Sequence, residues 1–173
     1  IRPHLEKLAG ETGETAHIAE LRGSVVFFVE NAYPSSALRV QTMTGDFEAA
    51  HSTAVGKAIL STMPDSEIDA IYSGVTLNSF TEHTITDLAS LKLSIEKARA
   101  EGIATDIEEQ TLGTGCMAAP VTDTRGRVFA VGISGPVGRV ADDDAHCREA
   151  LVKCANDISR ALGVKVRRTR VSK

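Results

Sequence analysis

The sequence of 173 residues has the length of one domain, and its 42% of apolar and 24% of charged residues are ordinary for a globular protein. Five Phe, two Tyr, no Trp and a net charge of −4 count against a surface that binds nucleic acid by base stacking or basic charge. The longest run of large apolar residues, 25–29, is far shorter than the roughly 20 residues that span a bilayer.

The charge is unevenly placed along the chain. Residues 164–173 carry five Lys and Arg residues and no acid, and we expect this basic tail to be a solvated, disordered terminus. The cysteines and histidines show no spacing typical of a metal site, and three cysteines suit a reducing cytoplasm. The sequence therefore predicts one domain at residues 1–163, with no metal and no cofactor.

The first half of the chain predicts a helix, three strands and a helix. Apolar residues between Leu5 and Ala9 recur at helical spacing, and Gly13 ends that helix. Ser52 or Thr53 caps a later helix. The three β-type runs between these helices lie at residues 15–21, 25–30 and 38–42, and a tight turn at 22–24 joins the first two.

The second half predicts two more helices, three strands and a last helix. Pro64 starts one helix, Asp87 caps the next and Gly102 ends it. The strands are predicted at 103–108, 116–122 and 128–134. The last helix has three acids, 142–144, in its first turn and one apolar seam, formed by Cys147, Leu151, Cys154, Ile158 and Leu162. Hairpin-joined strands in two groups indicate an α+β fold with an antiparallel sheet.

One face of the last three strands carries small and polar residues. Because strand neighbours alternate faces, bulky Phe129, Val131 and Ile133 point away from that face. The residues that share it are Ala104, Asp106, Glu108, Cys116, Ala118, Pro120, Ala130, Gly132 and Ser134. Such a surface leaves room for a ligand pocket, or a helix fills the space by close packing.

Two further segments are candidate sites. The helix start at residues 52–57 offers backbone N–H groups to an anion, although it lacks the first glycine of a phosphate-binding loop and also fits an ordinary capped helix. Cys116 follows a flexible turn, and His51 is the candidate base for a nucleophilic thiol, although a free cysteine more often packs as a small apolar residue. Lys57 is expected to extend to solvent.

Several short motifs occur in one order along the chain and cover about residues 5–163. They are TGET at 12–15, LR at 38–39 with Gly45, HSTAVGKA at 51–58, TITD at 84–87, GIATDIEE at 102–109, GTGCMAAPVTD at 113–123 and ISGP at 133–136. This ordered set resembles the C-terminal effector-binding domain of the IclR family of bacterial transcription regulators. Two positions depart from the family pattern: Gly132 stands where some members have Ser, and Thr122 where the signature has Phe, Tyr or His.

The resemblance implies a GAF-like fold, with an antiparallel sheet of about six strands flanked by helices. It implies a cytoplasmic, non-enzymatic sensor that forms homodimers or homotetramers and contacts DNA only through an N-terminal winged helix-turn-helix domain. Residues 1–14 would then enter from that missing domain. The implied effector is a small organic acid, and the implied contacts are Ala54, Val55, Gly56, Asp106, Cys116, Gly132 and Ser134.

Within that implied site, the carboxylate of a compact polar acid is expected to take the N–H groups of residues 54–56. Asp106 is expected to accept from an effector hydroxyl or to hold a shared proton, because a second negative charge is nearby. Two alternatives stay open, a thiol-dependent enzyme that uses Cys116 on the same fold and an oligomerisation module without a ligand.

Overall fold

The computed structural model describes residues 1–41, 44–142 and 144–164. Its centre is a six-stranded antiparallel sheet of order β3-β2-β1-β6-β5-β4. The strands are β1 Thr15–Arg22, β2 Val25–Ala32, β3 Phe47–Ala49, β4 Ala104–Ile107, β5 Thr114–Thr122 and β6 Val128–Pro136. The helices are α1 Arg2–Thr12, α2 Ala54–Leu60, α3 Asp65–Tyr72, α4 Leu88–Glu101, α5 Val137–Asp142 and α6 Asp144–Ala161, and a 3₁₀ turn spans Ala50–Ser52. The predicted α+β fold with six antiparallel strands is confirmed.

Helices cover both faces of the sheet. On one face, which we call the α6 face, α1 and α6 pack against the bulky residues of β5 and β6, among them Met117, Val131 and Ile133. On the opposite α2 face, α2, α3 and α4 pack against smaller residues such as Ala118 and Ala130. The predicted alternation along β6 is therefore confirmed, and the apolar seam of the last helix lies in the core of the α6 face.

Local signals in the sequence explain where α2 and α4 begin. Thr53 accepts a hydrogen bond from Gly56 N–H at 3.3 Å, and Asp87 accepts one from Ser90 N–H at 2.8 Å. Gly56 also has to be glycine, because a Cβ there would lie 2.2 Å from the carbonyl oxygen of Ala50. Thus α2 lies directly against the 3₁₀ turn that precedes it.

The third strand is not at residues 38–42, as the sequence suggested. Residues 38–41 form no strand, and Thr42 lies outside the described residues. The strand is β3, Phe47–Ala49, whose Phe47 ring packs 4.9 Å from the Phe27 ring on β2. Leu38 is 68% exposed, so the apolar run that suggested a strand does not face the core. Residues 38–41 instead form a loop, and Thr15 on β1 donates a hydrogen bond to the Val40 carbonyl at 2.5 Å.

The last helical region also begins earlier than predicted. Helix α5 starts at Val137, directly after β6, so that Asp142 ends α5 and Asp144 begins α6. Asp143, the middle acid of the predicted first turn, lies outside the described residues, as do residues 165–173 of the basic tail. Strand β4 ends at Ile107, and the next residue, Glu108, has a positive φ of 59°. Glu108 therefore does not continue the predicted polar face of that strand.

Candidate functional site

A cavity of about 230 Å³ lies on the α2 face, between the sheet and the start of α2. Five predicted site residues line it: Ala54, Val55, Asp106, Cys116 and Ser134. The remaining lining residues come from β1, β2, β3 and β5 and from loops: His17, Phe28, Val40, Gln41, Glu48, Thr53, Gln110, Thr111 and Thr114. The fold thus brings the segments around 54, 106, 116 and 134 to one place, as the resemblance implied.

The pairing of the strands explains why these side chains meet. Asp106 on β4 is opposite Cys116 on β5, and Cys116 is opposite Ser134 on β6. Residues opposite each other on paired antiparallel strands point to the same face of the sheet. The two halves of the sheet join where β6 pairs with β1, which places Ser134 opposite Thr15 and Gly132 opposite His17. One polar row therefore crosses from β4 to β1.

Gly132 and Gly56, the other two implied contacts, do not line the cavity. A Cβ on Gly132 would lie 2.6 Å from His17 Nε2 and 3.0 Å from Val55 Cγ1, so the imidazole and α2 already occupy that space. The N–H of Gly56 donates to the Thr53 hydroxyl. The sequence left open whether a helix or a ligand pocket occupies the small-residue face, and both are present. Helix α2 covers the part near Ala130, and the cavity lies at the part near Ser134.

Asp106 is buried and still carries a strong hydrogen bond. Its Oδ1 accepts from the Glu109 N–H at 2.7 Å, and its side chain is only 2% exposed. Burial, with a smaller contribution from the Glu109 carboxylate, raises the pKa of Asp106 to about 6, against the opposing effects of the Glu109 N–H hydrogen bond and, more weakly, of Lys57. Asp106 is therefore a carboxyl group that exchanges its proton close to neutral pH.

The Cys116 thiol is not arranged as a nucleophile. Its Sγ lies 3.1 Å from Ser134 Oγ, and burial, followed by the nearby Asp106 carboxyl, raises its pKa well above the ordinary value. Since the thiolate is the reactive form, a raised pKa makes the thiol inert. His51, the candidate base, instead makes a hydrogen bond through Nε2 to the Asn78 carbonyl at 3.0 Å. Cys116 and His51 thus each bond to another partner, and the predicted thiol–imidazole pair is not formed between them.

Lys57 was expected to extend to solvent, and this expectation is wrong. Its side chain is 1% exposed, and its Nζ lies 2.6 Å from Glu109 Oε1. The reason is that α2 is buried along its whole length and a loop between β4 and β5 supplies a carboxylate for the ammonium group. Thr81 and Thr84 donate hydrogen bonds at 2.6 Å to the Glu108 and Glu109 carbonyls, which fixes the same loop.

His17 and Glu48 are the titratable lining residues that sequence reasoning missed. His17 is 2% exposed, its ring lies edge-on to Phe28 at 5.2 Å, and its Nδ1 has no hydrogen-bond partner among the described residues. Burial lowers the pKa of His17 to about 4, so the ring is neutral at physiological pH. Alternation along β1 would indicate the face of His17, whereas Glu48 lies on β3, where the sequence predicted no strand. Nothing local shows that these strands border the same pocket as Asp106.

Comparison with known proteins agrees with this geometry. The family model described as "Bacterial transcriptional regulator IclR C-terminal" matches residues 1–160. The chain belongs to the IclR family. Among the described residues, no three His, Cys, Asp or Glu side chains are grouped so that they could hold a metal ion, and none of the described helices is long and apolar enough to cross a membrane.

Curated IclR relatives are named as transcriptional regulators. The chain is 34% identical over 160 residues to the HTH-type transcriptional regulator BhcR of Paracoccus denitrificans, a match that covers 91% of this chain and 57% of BhcR. It is 33% identical over 165 residues to the HTH-type transcriptional repressor AllR of Salmonella typhi, covering 94% of this chain and 61% of AllR. The chain therefore spans about three fifths of the length of these relatives.

A solved structure supports the assignment to the C-terminal part of such regulators. The C-terminal domain of the Escherichia coli transcriptional regulator KdgR superimposes with a TM-score of 0.84 at 28% identity. The match covers 94% of this chain and 96% of that domain. The IclR-family chain thus corresponds to a regulator's C-terminal domain over nearly its whole described length.

Proposed function

We propose that this IclR-family domain senses a small organic acid and thereby controls an attached DNA-binding domain. The observation that carries the proposal is the cavity in which Ala54, Val55, Asp106, Cys116 and Ser134 meet. A concave site with a few converging polar groups is the usual form of a ligand pocket. Its volume of about 230 Å³ is below the usual range for drug-sized ligands, which favours a compact ligand.

The polar groups around the cavity suit a hydroxylated or otherwise polar acid. The backbone of Ala54 and Val55 lies at the start of α2, where N–H groups point out of a helix and attract a carboxylate. Gly56 N–H is held by Thr53 and is not part of this contact. Asp106 can accept from an effector hydroxyl, and Cys116 and Ser134 border the remainder.

Regulation would follow from a preference of the ligand for one arrangement of the domains. A ligand shifts such an equilibrium only by its difference in affinity between the two states. The names of BhcR and AllR support an HTH domain in a longer protein, since this chain matches only 57% and 61% of their lengths. We further propose that the protein acts in the cytoplasm as a homodimer or homotetramer and contacts DNA through that other domain.

Thermal unfolding of the 173-residue chain tests the proposal. At pH 6, acetate, glycolate and lactate are titrated, and a ligand at a hundredfold excess over its dissociation constant stabilises the native state by about 2.7 kcal/mol. For a domain of this size, that corresponds to a rise in Tm of about 5–11 °C. A pure oligomerisation module would show no rise with any of the acids.

A variant pair distinguishes binding in the cavity from binding elsewhere. Cys116→Leu extends a side chain into the cavity and should abolish the rise in Tm. Cys147→Ala changes a buried cysteine on the α6 face, away from the cavity, and should lower the baseline Tm while keeping the rise. An equal rise in both variants would place the ligand outside the proposed pocket.

A further inference from the structure

Glu48 lines the same cavity as the predicted site residues Asp106, Cys116 and Ser134. It is paired with Val26 on β2, which is in the core of the α2 face, so its side chain faces the cavity, whereas Phe47 packs on Phe27 at the other face. Glu48 belongs to β3 and Asp106 to β4, the two edge strands of the sheet. The curled sheet brings both carboxyl groups to one small cavity, although β3 and β4 are separated by four strands.

The cavity wall contains two carboxyl groups and, among the described residues, no Lys or Arg. Lys57 does not line the cavity. Its positive charge lowers the pKa of Asp106, but its ammonium group is paired with Glu109. Arg22 lies over the Phe27 ring on the other face of β2, 3.8 Å from its centroid. An ionised ligand carboxylate would therefore add a third negative charge to a small, half-open cavity, which is unfavourable unless a proton enters with it.

The other titratable groups around Glu48 do not supply a positive charge. Asp46 precedes it on the same segment and adds negative charge, and the Cys116 thiol is neutral. His17, on the neighbouring strand β1, is neutral as well, because burial lowers its pKa. Burial first, and then Asp106 and Asp46, raise the pKa of Glu48 to about 7. Glu48 and Asp106 thus titrate as a pair that retains a proton near neutral pH.

We propose that Glu48 is a ligand-binding residue that acts as a neutral carboxylic acid and donates its proton in a hydrogen bond to the carboxylate of the ligand. The ligand is a monocarboxylate, and it binds together with one proton taken from solvent. This inference rests on the proposed function, because it assumes that the cavity takes an acid. The inference adds one hydrogen-bond donor, on β3, to the ligand contacts already proposed on α2, β4, β5 and β6.

Calorimetric titration of the 173-residue chain with glycolate and lactate tests this directly. The titrations are run at pH 8 in phosphate and in Tris, whose different heats of ionisation reveal how many protons are taken up per ligand. We expect uptake of nearly one proton at pH 8, little uptake at pH 5.5, and an affinity that falls up to about tenfold per pH unit above pH 7. Binding without proton uptake at pH 8 would overturn the role of Glu48 and leave the proposed function standing.

Three variants separate proton donation from simple packing. Glu48→Gln keeps an N–H donor without a titratable proton, so it should bind the acids at pH 8 without proton uptake and with an affinity that no longer falls with pH. Glu48→Ala removes the donor and should weaken binding at pH 5.5 as well. Glu82→Gln, at a carboxyl group whose side chain is 82% exposed, is the matched control and should behave as the native chain.

The two proposals fail differently. Glu48→Gln with unchanged proton uptake would refute the assignment of the proton to Glu48. Binding of ethanolamine in preference to glycolate at pH 8 would show that the two carboxyl groups are ionised and select a cation, which overturns the acid ligand and the proton donor together. Absence of acid binding even at pH 5.5, where the carboxyl pair is protonated, would contradict both proposals.

Discussion

Replacement of Lys57 by Met should destabilise the domain more than any change at a surface lysine. The Lys57 side chain is 1% exposed, and its partner Glu109 is 14% exposed, at an Nζ–Oε1 distance of 2.6 Å. Removal of one member of a buried ion pair typically costs 3–5 kcal/mol, because the remaining charge has no compensation. Since Glu109 retains a little contact with water, we expect about 3 kcal/mol, which corresponds to a fall in Tm of about 6–12 °C.

The loss should depend on pH. Lys57 lowers the pKa values of Glu109 and Asp106, against the effect of burial, which raises both. Without the ammonium group, both folded-state pKa values rise further above their unfolded values. A group of this kind stabilises the native state most at low pH, and this contribution is lost as pH rises through the folded pKa. The Lys57→Met variant should therefore lose more stability at pH 7.5 than at pH 5.

Urea unfolding at the two pH values measures the effect. Lys92→Met is the matched control, because Lys92 pairs with Asp69 at the surface, where such pairs contribute about 1 kcal/mol or less. The double change Lys57→Met and Glu109→Met should recover much of the loss, since no charge is then left without its partner. A loss at Lys57 no larger than at Lys92, or one that is equal at both pH values, would refute the reasoning.

Two further substitutions and one labelling experiment test other parts of the site. Gly132→Ala places a Cβ 2.6 Å from His17 Nε2 and should lower the free energy of unfolding in urea by about 1–3 kcal/mol. The same change in a His17→Ala background should cost much less, and additive losses would contradict this packing. Asp106→Asn should reduce the decline of stability between pH 4.5 and pH 8, since the raised pKa of about 6 makes the ionised form of Asp106 unfavourable in the native state; an unchanged decline would contradict it. Cys116 should react with iodoacetamide at pH 7.5 far more slowly than glutathione does, because its raised pKa leaves little thiolate; reaction at the rate of a free thiol would contradict the inert assignment.

Local signals made most of the fold predictable. Gly13 and Gly102 end helices with φ near 70°, a conformation that costs glycine little, and Asp87 caps the helix that follows it. The prediction of the third strand at residues 38–42 was wrong, because Val40 and its neighbours have strand-like composition but no partner strand. Phe47 lies in the true third strand, where it meets Phe27, a contact that depends on the path of the chain between β2 and β3.

Part of the candidate site could be predicted and part could not, for one physical reason. Asp106, Cys116 and Ser134 lie on strands that follow each other along the chain, so alternation and hairpin pairing suffice to place them on one face. His17 and Glu48 reach the same cavity only because β1 pairs with β6 across more than a hundred residues of sequence. The burial of Lys57 is non-local too, since its carboxylate partner is 52 positions away.

The size of the cavity follows from where α2 begins. Thr53 caps the helix, and Ala54 and Val55 form its first turn, so that Val55 lies against Gly132 while Ala54 borders open space. Because the sheet face continues beyond this turn to Cys116 and Ser134, the part that α2 does not cover forms the cavity. The helix start thus decides which of the small residues on this face pack and which can face a ligand.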